Sequence, residues 1–135
     1  MLKFGLAYLG SSIALLCLDF VWLNLAAPRF YRPRIGALLL ESPNLVVAGV
    51  FYLVYAAGVV VLAVLPSVGE RSPVLALGLG AVLGLVAYGT YDFTNLATLK
   101  GWSGSVTAVD VTWGIIVSAA SAGTGYWLLR SFSPS

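Results

Sequence analysis

The sequence predicts an all-α, polytopic membrane protein: a bundle of four transmembrane helices forming one integral membrane domain over residues 1–135. Three observations predict it. Sixty per cent of the 135 residues are hydrophobic and only 9% are charged, against about 25% charged in a typical soluble domain. So little charge cannot coat a water-facing surface. Four apolar stretches are each long enough to cross a ~30 Å hydrocarbon core at ~1.5 Å per residue. Those stretches are continuous and do not alternate, which indicates helices and not a barrel.

The first span is expected over residues 4–27, with Pro28 and Pro33 ending it. Lys3 followed by an apolar run also fits a secretory signal, but Asp19 and Trp22 interrupt the run and its length suits a span. The second span, 44–65, opens after Ser42-Pro43 and closes at Pro66-Ser67-Val68-Gly69. The third covers 73–99, and Gly101-Trp102-Ser103-Gly104 turns the chain into the fourth, 105–129. Gly78-x-Gly80-x-x-x-Gly84 and Gly123-x-Gly125 read as close-approach points between helices. The first of these follows no strand, so a nucleotide-binding reading is set aside. Tyr52 and Tyr55 share a face of the second span and read as core or pocket wall, with core the favoured reading.

Composition also removes several kinds of chemistry. There is no His and only one Cys. Ser-His-Asp catalysis, His ligation of haem and Cys-cluster metal sites therefore lack their groups. A net charge of +2 without a basic patch argues against nucleic acid as a partner. No cofactor and no metal is expected; a hard cation would need an all-oxygen set from Asp19, Asp92, Asp110 and Asn95, and no loop signature supports one.

The informative charges are the buried ones. Of five acids, Glu41 and Glu70 lie in expected loops, while Asp19, Asp92 and Asp110 lie inside spans. An ionisable group within a membrane is costly and marks function by default. Counted from the nearest span end, the three lie roughly 12, 10 and 8 Å deep. In an up-down-up-down bundle those ends share one membrane face, so the three acids converge on one layer of one leaflet. Trp22 and Trp113 each lie three residues after an acid and share its helical face. Tyr88, Tyr91 and Asn95 flank Asp92, and Thr107 and Ser121 extend the polar face of the fourth helix. Arg29, Arg32, Arg34 and Lys100 sit above this layer as a basic lid. Counting these four against Lys3, Arg71 and Arg130, the positive-inside rule favours the Arg-rich loop on the cytoplasmic side. The competing structural explanation is that the polar groups are hydrogen-bond glue between helices, with the tryptophans as interface anchors.

A short internal echo runs alongside. Asp19-Phe20-Val21 with Asn24-Leu25-Ala26 parallels Asp92-Phe93-Thr94 with Asn95-Leu96-Ala97. The two copies would open two hairpins in the same direction across the membrane.

Leu18-Asp19-x-x-Trp22, Phe30-Tyr31-Arg32, the block from Tyr91 to Trp102 and Val109-Asp110-x-x-Trp113-Gly114 carry a resemblance. With them the chain resembles the bacterial four-helix membrane family called domain of unknown function 2177, over nearly its whole length. Ser103 and Ala37 depart from the family's pattern, which has a proline after Gly-Trp and a bulkier polar residue in the loop. The resemblance implies a multi-pass protein of the bacterial inner membrane and implies no particular reaction.

Two functions of different class fit these residues. In the first, the pocket binds or modifies an amphiphile such as a lipid or isoprenoid. Asp92 and Asp110 then form an acid–base pair tuned by Asp19, since one carboxyl can hold a proton while another accepts one. Asn95 and Tyr91 orient the polar head, Trp22 and Trp113 line the pocket, and Arg32, Arg34 and Lys100 attract an anionic headgroup. In the second, the protein is a small proton-coupled carrier, acting as a homo-oligomer because four helices enclose little path, with the acids as relay sites. An accessory or assembly subunit without a reaction is the remaining expectation. Membrane lipids are the expected partners in the first reading.

Overall fold

The structure is a computed structural model that describes residues 1–133. Four helices are long and apolar enough to cross a membrane: α1 (Leu2–Leu38), α2 (Leu45–Gly69), α3 (Pro73–Thr98) and α4 (Gly104–Phe132). No strand occurs among the described residues. The turns between helices use local chemistry that water-facing ends require. The side chains of Asn44, Ser72 and Ser103 each accept the backbone N–H three residues on, capping α2, α3 and α4. Gly101, at φ 80, supplies the left-handed residue that reverses the chain between α3 and α4. Ser103 therefore has a local task as the cap of α4.

Two helices run past the expected stops. Pro28 and Pro33 do not end α1, and Pro66 does not end α2. A proline lacks an N–H and crowds the carbonyl four residues back. Here a π-helical segment lies at or just before each proline, at Ala27–Tyr31 and Val60–Val64. The following N–H reaches back five residues instead of four, Arg32 to Ala27 and Leu65 to Val60. That extra residue per turn gives the ring room, and the helix continues.

The fourth helix is the axis of the molecule, packed along α3 on one side and α1 on the other. Its buried residues Thr107, Val111, Gly114, Ser118, Ser121 and Gly125 recur at alternating spacings of three and four, the pattern of a helix seam. They are mostly small, so the backbones come close. A Cβ on Gly84 would stand 2.2 Å from the Gly114 carbonyl oxygen, and one on Gly125 would stand 2.2 Å from Ser11 Oγ. Ser11 Oγ donates to the Ser121 carbonyl at 3.0 Å across this contact. Gly80 and Gly84 thus serve the α3–α4 contact, whereas Gly78 faces open space.

The second helix behaves differently along its length. Val59, Val60, Ala63 and Val64 are fully buried against the other helices. Toward its N-terminus α2 packs on α1 and hardly on α3. Val46, Val50, Phe51 and Val54 there remain exposed. A cleft between α2 and α3 results, open sideways at the end of the bundle where the acids lie.

Candidate functional site

The α1 and α3 acids continue packing stripes. On α1, Ala7, Ser11, Leu15 and Asp19 are buried at intervals of four. On α3, Ala76, Gly80, Gly84 and Asp92 lie on one stripe, with Tyr88 in the intervening place. Helical residues four apart share a face, so Asp19 and Asp92 both turn toward α4 from opposite sides. Asp110 on α4 stands between them. The internal echo has a spatial counterpart: its two copies, on α1 and α3, flank the same helix.

Asp19 and Asp110 are held by a reciprocal set of bonds. Asp19 accepts from Trp113 Nε1 on α4 at 2.9 Å and from the Tyr52 hydroxyl on α2. Asp110 accepts from the Tyr31 hydroxyl at 2.7 Å, and that hydroxyl accepts from Trp22 Nε1 at 3.1 Å. The two indoles stack with centroids 4.5 Å apart and planes 8° from parallel. Each Trp shares a helical face with its own acid, but the Trp113 N–H serves Asp19 on the opposite helix directly, while the Trp22 N–H reaches Asp110 only through the Tyr31 hydroxyl.

Asp92 differs. It is fully buried, and no N–H or hydroxyl donor reaches either carboxyl oxygen; the Asp110 carboxyl beside it is its one side-chain neighbour able to share a proton. Thr107 links the neighbouring turn instead, accepting from Trp102 Nε1 at 3.0 Å and donating to the Asp92 backbone carbonyl at 3.4 Å.

Two cavities meet at this layer. The larger, about 480 Å³, occupies the α2–α3 cleft and is half open. Asp19, Asp110, Trp22 and Tyr52 form its polar and aromatic wall, with Tyr55, Tyr88 and Tyr91 beside them. Leu23, Phe51 and Ala87 make its apolar part. The smaller, about 180 Å³, lies toward the loop end between α1, α3 and α4 and contains Asp92 and Asp110 with Tyr31 and Trp102. Leu23, Tyr91 and Asp110 line both, so Asp110 joins the two spaces. Neither cavity is lined by a cation.

The other expected residues lie outside these walls. Arg32 and Arg34 are exposed and donate to the backbone carbonyls of Glu41 and Phe30, and the Arg34 guanidinium also lies 3.9 Å over the Phe30 ring. Lys100 is exposed, and Asn95 is half-buried one turn beyond Tyr91 without lining either cavity. Ser121 serves the α1–α4 contact far from the acids. No three His, Cys, Asp or Glu side chains among the described residues are grouped to hold a metal ion.

Sequence alone favours the core for the two α2 tyrosines and gives Tyr31, the partner of Asp110, no role at the site. Tyr52 and Tyr55, expected in the core, face the cavity: Tyr52 bonds Asp19 and Tyr55 pairs with Ser118 Oγ at 2.7 Å. Tyr55 and Tyr88 meet edge to face at 6.3 Å and floor the cleft. A signal for Tyr52 was present. It lies eight residues from the start of its span, as Asp19 lies eight from the end of its own.

A family model described as "Predicted membrane protein (DUF2177)" matches residues 4–127. The chain belongs to this family. The match spans all three acids, both stacked tryptophans and the five cavity tyrosines, so the whole site lies within the family domain. No curated protein and no solved structure matches the chain.

Proposed function

We propose that this family member binds, or chemically modifies, a lipid or isoprenoid-like amphiphile that enters sideways from the bilayer, and that it does so in a bacterial inner membrane. The observation that carries this reading is the half-open cavity of about 480 Å³ with an apolar mouth and a wall of carboxyls and tyrosines. Ligand sites are typically clefts of ~300–1,000 Å³ with few, well-placed polar groups. The chain reaches the cavity between α2 and α3, where Phe51 and Ala87 present hydrocarbon to an acyl or prenyl tail. The head then meets Asp110, with Tyr91 to orient it. Asp110 and Asp92 share the smaller cavity and are the pair able to pass a proton to or from a bound head. Asp19, tied down by Tyr52 and Trp113, acts as a fixed group beside them. A site off the midplane also suits a lipid head better than a carrier's central site.

The test compares lipid extracts, by mass spectrometry, from cells with the protein, without it, and with Ala87→Trp filling the cleft. A lipid species that changes with the protein and reverts with Ala87→Trp is expected. An unchanged lipid profile together with proton-dependent uptake into liposomes would sink the reading in favour of transport. Full cellular function in a folded Asp92→Asn variant would leave only the accessory role.

A further inference from the structure

We infer that the head recognised by this site is a primary ammonium on a membrane amphiphile. The inference rests on the lipid-site reading and names its ligand class. It starts from an imbalance of hydrogen-bonding groups. Among the side chains at the site, Tyr52 and Trp113 supply Asp19, and Tyr31 supplies one oxygen of Asp110. No N–H or hydroxyl of another side chain supplies Asp92, whose two oxygens are buried with only the Asp110 carboxyl beside them. One proton shared between the two carboxyls satisfies a single acceptor, and the buried oxygens that remain are costly until a further donor arrives.

The missing donor is also cationic by chemistry. Three carboxyl groups border the joined cavities, and no Lys or Arg side chain lines them. An anionic headgroup would bring like charge into an apolar slab with nothing to offset it. A primary ammonium instead offers three N–H donors, enough for both Asp92 oxygens and the second oxygen of Asp110. Both acids line the smaller cavity, whose volume of about 180 Å³ suits a small head.

The remaining walls favour the same cation. Tyr31 and Trp102 border the smaller space, Trp22 the larger, and Tyr91 both. Aromatic faces attract ammonium groups, most strongly where water is excluded. The adjoining larger cavity, open to hydrocarbon, supplies the path for the tail, so the amine belongs to a lipid and not to a free polyamine. The exposed loop arginines stay outside the recognition step.

The test uses the full-length protein, purified in micelles doped with equal amounts of phosphatidylethanolamine, phosphatidylcholine and phosphatidylglycerol of identical chains. Retained lipid is read by native mass spectrometry, with free spermidine as a separate arm. Phosphatidylethanolamine is expected to be retained at least about tenfold over phosphatidylglycerol, a preference Asp92→Asn and Asp110→Asn each cut severalfold. Phosphatidylcholine has the charge without N–H donors and is expected to fall between. Equal retention of phosphatidylcholine and phosphatidylethanolamine would overturn the primary-amine assignment. So would a preference that neither substitution alters, or spermidine displacing the lipid. Equal retention of all three lipids, abolished by Ala87→Trp, would overturn this inference and leave the lipid site standing. Retention insensitive to Ala87→Trp would overturn both. The wild-type comparison alone decides the headgroup even where a variant fails to fold.

Discussion

The two ends of the bundle are built by opposite uses of side-chain size. At the end bearing the termini, glycine and serine let backbones touch: Gly10 and Ser11 against Gly125, and Gly80 against Ser118 and Ala122. At the loop end, aromatic rings and carboxyls stand between the same helices and leave cavities of about 480 and 180 Å³. In a membrane, hydrocarbon burial does not draw helices together, so close packing and hydrogen bonds must. The tight end supplies that cohesion. It thereby lets the other end carry buried acids and open space that would not hold a bundle together unaided. The join is visible at Gly114, which touches Gly84 on one side and underlies the Tyr88 ring on the other.

Breaking the tight end should cost most. Gly84→Leu drives a side chain into the α4 backbone, where even the Cβ would stand 2.2 Å from the Gly114 oxygen. A backbone atom cannot swing aside, so the helices must part. A loss of about 3 kcal/mol or more is expected, read as a collapse of the thermal midpoint in micelles. A wild-type midpoint would show that the α3–α4 contact does not carry the bundle.

Gly114→Ala probes the join. Its Cβ would lie 2.2 Å from the Tyr88 ring, which is a side chain and can move. The cost is accordingly smaller, about 1–3 kcal/mol. The displaced ring should also change the α2–α3 cleft, so lipid retention falls with stability. Loss of stability with unaltered retention would separate the Tyr88 floor from the binding space.

The loop end should be less sensitive. Asp19→Ala leaves Tyr52 and Trp113 without their acceptor, an expected cost of about 1–2 kcal/mol. The Asp19–Tyr52 coupling from a double-mutant cycle with Tyr52→Phe should be about 0.6 kcal/mol, the usual size within a bilayer. A coupling several times larger would mean that the polar layer holds the helices together as firmly as the glycines do. Arg34→Ala should cost no more than about 0.5–1 kcal/mol, since it removes an exposed ring contact and one bond to a carbonyl.

The same contrast explains what could be read in advance. The four spans follow from continuous hydrophobicity, which depends on composition and not on partners. The shared depth of Asp19, Asp92 and Asp110 follows from counting residues at a fixed rise, because charge inside a span is conspicuous. Tyr52 and Tyr55 were not conspicuous, since tyrosine suits core and site alike and only a neighbour decides which. The continuation of α1 and α2 through proline was illegible for a different reason. A π-helical turn has no residue signature of its own, and Val60–Val64 reads as ordinary apolar helix. The loop arginines stood next to the acids in depth, yet sequence spacing does not show that their donors reach backbone carbonyls.

Gly78 offers the smallest and sharpest check. The run Gly78-x-Gly80-x-x-x-Gly84 looks like one packing motif, but its members face different surroundings. A Cβ at Gly80 would stand 2.6 Å from the Ser118 carbonyl oxygen, whereas nothing lies within 4 Å of one at Gly78. Gly78→Ala should therefore be neutral or stabilising by about 0.5–1 kcal/mol, because alanine loses less backbone freedom in a helix. Gly80→Ala should destabilise, because a carbonyl on the α4 backbone must yield. The pair differs by one methyl group at two sites half a turn apart, so propensity cancels and only packing remains. If both substitutions stabilise, the glycines of α3 are interchangeable and the tight end is held by something other than backbone approach. Opposite signs in the two thermal midpoints would instead locate the contact on one stripe of α3, the stripe that ends at Asp92.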